Sequence, residues 1–223
     1  MLLERIKYAF RRDAVEGYFS TLLYSLHIIF HPADGFWDMN REHRASMSAA
    51  NTIFALTILV NIWKIQLTSF LFLPVKMDEV NMLIEVLGVV LPLIVFCIAN
   101  WSFTTLLDGK GNFRDIYMAM CYALTPYVLI EIPMMFVSNI ITVEEGAFYQ
   151  LLEVIAFVWC GALIFMGMMM IHDYSFLKTL ASCIVTIIGI GVILFLLILF
   201  FSMTTDCIGY FVSLAKEIIF RLY

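Results

Sequence analysis

The chain has 223 residues, of which 63% are apolar and only 14% charged, with a formal net charge of −5 and a mean hydropathy of +0.95. A water-soluble globule cannot hide that much apolar surface, and a disordered chain is far more polar. The acidic balance leaves no electrostatic footprint for nucleic acid, so the chain reads as an integral membrane protein whose first partner is the lipid bilayer.

The first 45 residues read as a cytosolic or interfacial helical segment. Arg5, Lys7, Arg11 and Arg12 come early, and the apolar stretch behind them ends at His31-Pro32 without an Ala-x-Ala site. A cleavable signal is therefore not expected. Residues 17–30 are apolar but too few to span. Val15, Phe19, Leu22, Leu26 and Ile29 fall on one helical face, which predicts an interfacial helix packed under a bundle.

Five stretches then have the length a bilayer needs, about 20 helical residues each. They cover roughly 47–73, 80–101, 116–141, 147–171 and 180–203. Backbone polar groups in hydrocarbon must be satisfied within the segment, so these are helices. The expected fold is all-α: a five-helix transmembrane bundle over 46–203, preceded by the segment 1–45. Beyond it, Ile208, Phe211, Val212, Ala215, Ile219 and Leu222 make an amphipathic stripe. This predicts a separate C-terminal interfacial helix over 204–223, with Thr205 or Asp206 as its N-cap.

Loop charges orient the bundle. With the N-terminus inside, the inner pieces carry Arg5, Lys7, Arg11, Arg12, Arg41, Arg44, Lys110, Arg114 and Lys178, and the outer pieces carry Lys76, Lys216 and Arg221. The excess favours a cytoplasmic N-terminus and an outer C-terminus. The loop 142–146, with Glu144 and Glu145 and no basic residue, agrees with an outer position.

Ionisable residues inside the spans are the most informative feature. Lys64, Glu85, Glu131 and Glu153 lie one in each of the first four spans, all roughly 7–15 Å below the outer surface at ~1.5 Å per residue. A charge facing lipid costs ~2.5–3.5 kcal/mol on insertion scales, so these groups should turn inward, with Lys64 pairing Glu131 or Glu153. Asn61, Gln66 and Asn139 complete an expected polar pocket open to the outer side. It would suit a cation, a proton or a polar solute; the competing reading is helix glue, with Glu85 and Glu153 reaching water. Pro126 and Pro133 bracket Glu131 and predict a helix kink whose freed carbonyls line a cavity.

Other patterns carry less. His27 and His31 share a helical face but need a third ligand from His43 or Asp34, so no metal site is expected. Asp108-Gly-Lys-Gly-Asn112 lacks phosphate-loop spacing and reads as a flexible turn. Met166, Met168, Met169 and Met170 read as adaptable packing, and the five cysteines as buried small hydrophobes. The small pairs Ser46/Ala50 and Ala119/Ala123 permit close helix contact. His172-Asp173 has no partnered nucleophile, so neither catalytic residues nor a cofactor are expected.

Several of these stretches resemble the Yip-domain family, named for its Ypt/Rab-interacting members. They are His31-Pro-Ala-Asp-Gly-Phe-Trp-Asp-Met39 with Arg44-Ala-Ser46, Asn100-Trp101 with Asp108-Gly-Lys-Gly-Asn-Phe-Arg114, Tyr122-Ala-Leu-Thr-Pro126, and Glu144-Glu-Gly-Ala-Phe-Tyr149. The resemblance implies five transmembrane helices with a cytosolic N-terminal region. In eukaryotic relatives it implies a non-enzymatic adaptor of vesicle traffic that binds small GTPases and its own kin. The long polar N-terminal region expected there is not in this sequence, so the expectation is a compact, bacterial-type member in the cytoplasmic membrane, or a Golgi or ER protein if eukaryotic.

The expected function is that of a membrane scaffold or adaptor, or an accessory subunit of a membrane complex such as a transporter, alone or as a homo-oligomer. The alternative is a small-solute or ion carrier built on Lys64, Glu131 and Glu153.

Overall fold

The computed structural model describes residues 12–73, 80–106 and 108–222. Among them are α1 Arg12–Phe30, α2 Pro32–Arg41, α3 Met47–Leu67, α4 Met82–Leu106, α5 Phe113–Ala123, α6 Thr125–Val137, a 3-10 turn Val143–Glu145, α7 Gly146–His172 and α8 Phe176–Leu222. Five stretches are long and apolar enough to cross a membrane: Met47–Leu67, Met82–Thr105, Phe113–Val137, Val143–His172 and Phe176–Phe220. The fold is an all-α membrane bundle.

α1 and α2 form a tight helical hairpin joined by His31. Pro32 starts α2, where its missing N–H costs nothing. The closeness depends on Gly35, because a Cβ there would meet Ile28 Cγ1 at 2.8 Å. The Tyr24 hydroxyl donates to the Gly35 carbonyl at 2.9 Å. Phe36, fully buried, then inserts against Gly167 of α7. The face expected to be buried on α1 is buried only in part: Ile29 is buried and Leu22 packs against the core, but Phe19 and Leu26 are exposed, and Ser25 and Ile28 are buried in their place. Tyr18 bonds Thr52 at 2.5 Å and Thr21 bonds Ser46 at 3.1 Å. The hydroxyls that bond α3 and its cap share the inward side with Ile28 and Ile29, while Phe19, Leu23, Leu26 and Phe30 face out.

α5 is the central helix, packed by α3, α4 and α7, and Met118 through Ala123 are all buried. α6 lies against α3 and α7, and α4 pairs with α8. The third crossing is interrupted at Leu124. Pro126 stands in the first turn of α6 rather than within one kinked helix, while α6 continues through Pro133. The Tyr122 carbonyl, which loses its donor at Pro126, accepts from Thr125 Oγ1 at 2.7 Å instead.

The expected separate C-terminal helix over 204–223 is not set off. α8 runs without a break from the fifth span to Leu222. Neither expected cap residue ends a helix. Thr205 Oγ1 donates back to the Phe201 carbonyl at 2.9 Å, as Thr204 does to Phe200 at 2.8 Å, which satisfies the hydroxyls inside a continuing helix.

Candidate functional site

Two polar centres occupy opposite ends of the bundle. At one end, Asp173 ends α7 in the left-handed conformation (φ 55°) and receives Arg41 of α2 at 2.6 Å and Lys110 at 2.9 Å. Its carboxyl is held below the usual carboxylate range by the Lys110 hydrogen bond, aided by Arg41. The Gly109–Gly111 turn lies on His172, and a Cβ on Gly109 would meet His172 Nδ1 at 2.8 Å. The Gly111 N–H donates to that nitrogen at 3.2 Å. Nε2 therefore carries the proton and donates to Asn100 Oδ1 at 3.1 Å; the Asn100 amide in turn reaches Thr186 of α8 at 3.2 Å. Both imidazole nitrogens are occupied. The Asp108–Asn112 stretch thus covers the end of α7, and the centre ties α2, α4, α7 and α8 together.

Tyr122 plays a similar part nearby. Fully buried, its hydroxyl donates to the Thr21 carbonyl at 3.0 Å and accepts the Ser46 N–H at 3.4 Å. Ser46 caps α3 by accepting from the Ala49 N–H at 3.1 Å. The sequence motifs at 31–39, 100–114 and 122–126 are spent on these internal contacts.

The opposite end holds the charged cluster. Lys64, in the last turn of α3, reaches Glu131 Oε1 of α6 at 3.0 Å and Glu153 Oε1 of α7 at 2.5 Å. Glu131 is fully buried, and its Oε2 has no hydrogen-bond partner among the described residues. One ammonium thus serves two carboxyl groups. Beside it opens a cavity of about 440 Å³ lined by Lys64, Thr68, Phe72, Tyr149, Gln150 and Glu153 among others. The Phe72 and Tyr149 rings stack at 5.1 Å. The buried Thr68 and Tyr149 hydroxyls lack a hydrogen bond of good geometry.

Other residues expected in this pocket stand elsewhere. Glu85 lies in the first turn of α4, where its N–H donates to the Asn81 carbonyl at 3.1 Å while its carboxylate has no ion pair or hydrogen bond among the described residues. Asn61 lines a second, apolar cavity of about 510 Å³ bounded by Gly88, Pro92, Leu124, Tyr127 and Phe157. Asn139 is a helix-end clamp, donating to the Leu67 and Met135 carbonyls at 2.8 and 2.9 Å. Gln66 is exposed. Sequence reasoning passed over Ser138, whose hydroxyl accepts the Ser69 N–H at 3.1 Å, and Tyr149.

His27 and His31 stack at 5.1 Å, and among the described residues no group of three or more His, Cys, Asp or Glu is placed to hold a metal. A family model, the Yip1 domain, matches residues 26–199. No curated protein and no solved structure matched the chain.

Proposed function

The chain belongs to the Yip1 domain family, and on that premise we propose that it is a non-enzymatic membrane scaffold or adaptor, or an accessory subunit of a membrane complex. The observation that carries this reading is α8. Its 47 residues extend about 70 Å, more than twice the ~30 Å hydrocarbon layer. Every residue described from Leu194 to Phe220 is exposed, many of them large and apolar. A helix with so much uncovered surface suits pairing with other membrane helices or with a second copy. The two occupied nitrogens of His172 favour a structural over a catalytic role for the one buried imidazole described.

We place the N-terminus in the cytoplasm, the C-terminus outside and the protein in a bacterial cytoplasmic membrane. The contact of Arg41 and Lys110 with Asp173 supports a shared side for those loops, where the positive charge is concentrated. Photo-crosslinking side chains at positions 208, 211, 212 and 219 on one face of α8, and at 206, 210 and 213 on the opposite face, activated in native membranes, test the adaptor reading. Discrete protein adducts confined to one helical face are expected; lipid adducts alone at every position would end it.

The cluster of Lys64, Glu131 and Glu153 favours a second reading, a carrier for a small solute or ion. Purified protein in vesicles would then show a proton or solute flux that Glu131→Gln abolishes while leaving the fold intact. Absence of flux in the unaltered protein removes this reading.

A further inference from the structure

The two cavities share one seam. On α3, Thr57 and Asn61 line the apolar cavity while Lys64 and Thr68 line the polar one, all on a single helical face. On α7, Phe157 lines the first and Glu153, Gln150 and Tyr149 line the second, again on one face. Lys64 and Glu153 line the polar cavity, and their ion pair joins the two helices. A polar chamber near the end of the bundle and an apolar groove toward its middle make up the outline of an amphiphile.

We propose that this seam binds a membrane lipid with a primary ammonium headgroup, the headgroup in the polar cavity and an acyl chain in the groove lined by Gly88, Pro92 and Phe157. Charge selects the headgroup. The described cluster has one ammonium for two carboxyl groups, which disfavours an anionic lipid and favours a cationic group. Unsatisfied polar atoms refine the choice. Glu131 Oε2 is fully buried and lacks a donor. An ammonium that engages Glu153 releases a Lys64 N–H to that oxygen; a quaternary ammonium has no N–H to give a carboxylate.

Thr68 and Tyr149, both more than nine-tenths buried, carry two O–H donors. Even if one bonds the other hydroxyl, one O–H remains for a phosphate oxygen. Tyr149 and Glu153 are one helical turn apart, about 5–6 Å between Cβ atoms, so a zwitterion can touch both. The cavity volumes of about 440 and 510 Å³ lie within the range of small-molecule sites.

The test is native mass spectrometry of the purified full chain in detergent, titrated with phosphatidylethanolamine, phosphatidylcholine and phosphatidylglycerol. Phosphatidylethanolamine should remain bound in preference to both others. Glu153→Gln should weaken its retention about tenfold or more, as for loss of one charge-assisted hydrogen bond, without changing phosphatidylglycerol.

Gly88→Leu fills the groove from a position where a Cβ meets nothing within 4 Å, so the variant should fold and lose lipid. Gly161→Leu, equally unobstructed and outside both cavities, should bind like the parent. Equal retention of phosphatidylglycerol by the unaltered protein, or unchanged retention in a folded Gly88→Leu or Glu153→Gln protein, overturns the proposal.

Discussion

Lys64 and Glu131 meet at 3.0 Å between α3 and α6, and the same ammonium also holds Glu153. Removing different members of this cluster should have unequal costs. Glu131→Gln leaves a neutral Lys64–Glu153 pair and should cost no more than about 1 kcal/mol. Lys64→Met strands two neighbouring carboxylates in a mostly buried site and should cost about 3–5 kcal/mol. Unfolding measured in detergent, or steric trapping in bicelles, orders the two; a more stable Lys64→Met protein would contradict the role of Lys64 as the shared partner of both carboxyl groups.

Asp173 gives the opposite end a pH dependence. Its carboxyl is depressed in the folded protein by Lys110 and Arg41, so it contributes stability fully above the unfolded-state value of about 3.9. That contribution is lost as pH falls through the lower folded-state value. Thermal unfolding between pH 3 and 7 should show a drop at the acid end that is smaller in Asp173→Asn. An unchanged acid drop in the variant would assign it to other carboxylates.

Tyr122→Phe removes one hydroxyl that serves two backbone groups on different elements, Thr21 and Ser46. The expected loss is about 1–3 kcal/mol, accompanied by faster hydrogen exchange at the start of α3. Unaltered exchange at Ser46–Ala50 would mean that the hydroxyl does not anchor α1 to α3.

Gly189 has no space for a methyl, because the Phe103 ring fills the place a Cβ would take. Gly189→Ala should force α4 and α8 apart at a cost of about 1–3 kcal/mol. Gly191→Ala, two residues on and unobstructed, should be neutral or slightly stabilising. Comparable melting temperatures for the two variants would show that Phe103 rotates away freely.

Hydropathy made the five crossings legible, because length and apolar content are direct requirements of the bilayer. Depth along each helix put Lys64, Glu131 and Glu153 at one level, where the ion pairs join them. Depth carries no azimuth, however, so it could not separate Glu85, which stands on α4 away from the cluster. Asn61 faces the apolar seam and Asn139 clamps carbonyls for the same reason. The unbroken α8 was hidden by Thr205 and Asp206, which read as an N-cap although the Thr205 hydroxyl folds back onto the Phe201 carbonyl one turn earlier. On α1 the stripe placed Leu22 and Ile29 against the core but not Phe19 and Leu26, because an apolar stripe means core in water and can mean exterior in lipid.

The outward side of α1 has a practical reach. Tyr18 and Thr21 grip α3 and its cap through hydroxyls, whereas Phe19, Leu23, Leu26 and Phe30 are exposed to the surroundings. Recoding those four outward residues as lysine and glutamate alters the medium this helix tolerates while its grip stays the same, so a water-compatible version of the hairpin begins at its skin and leaves its interior untouched.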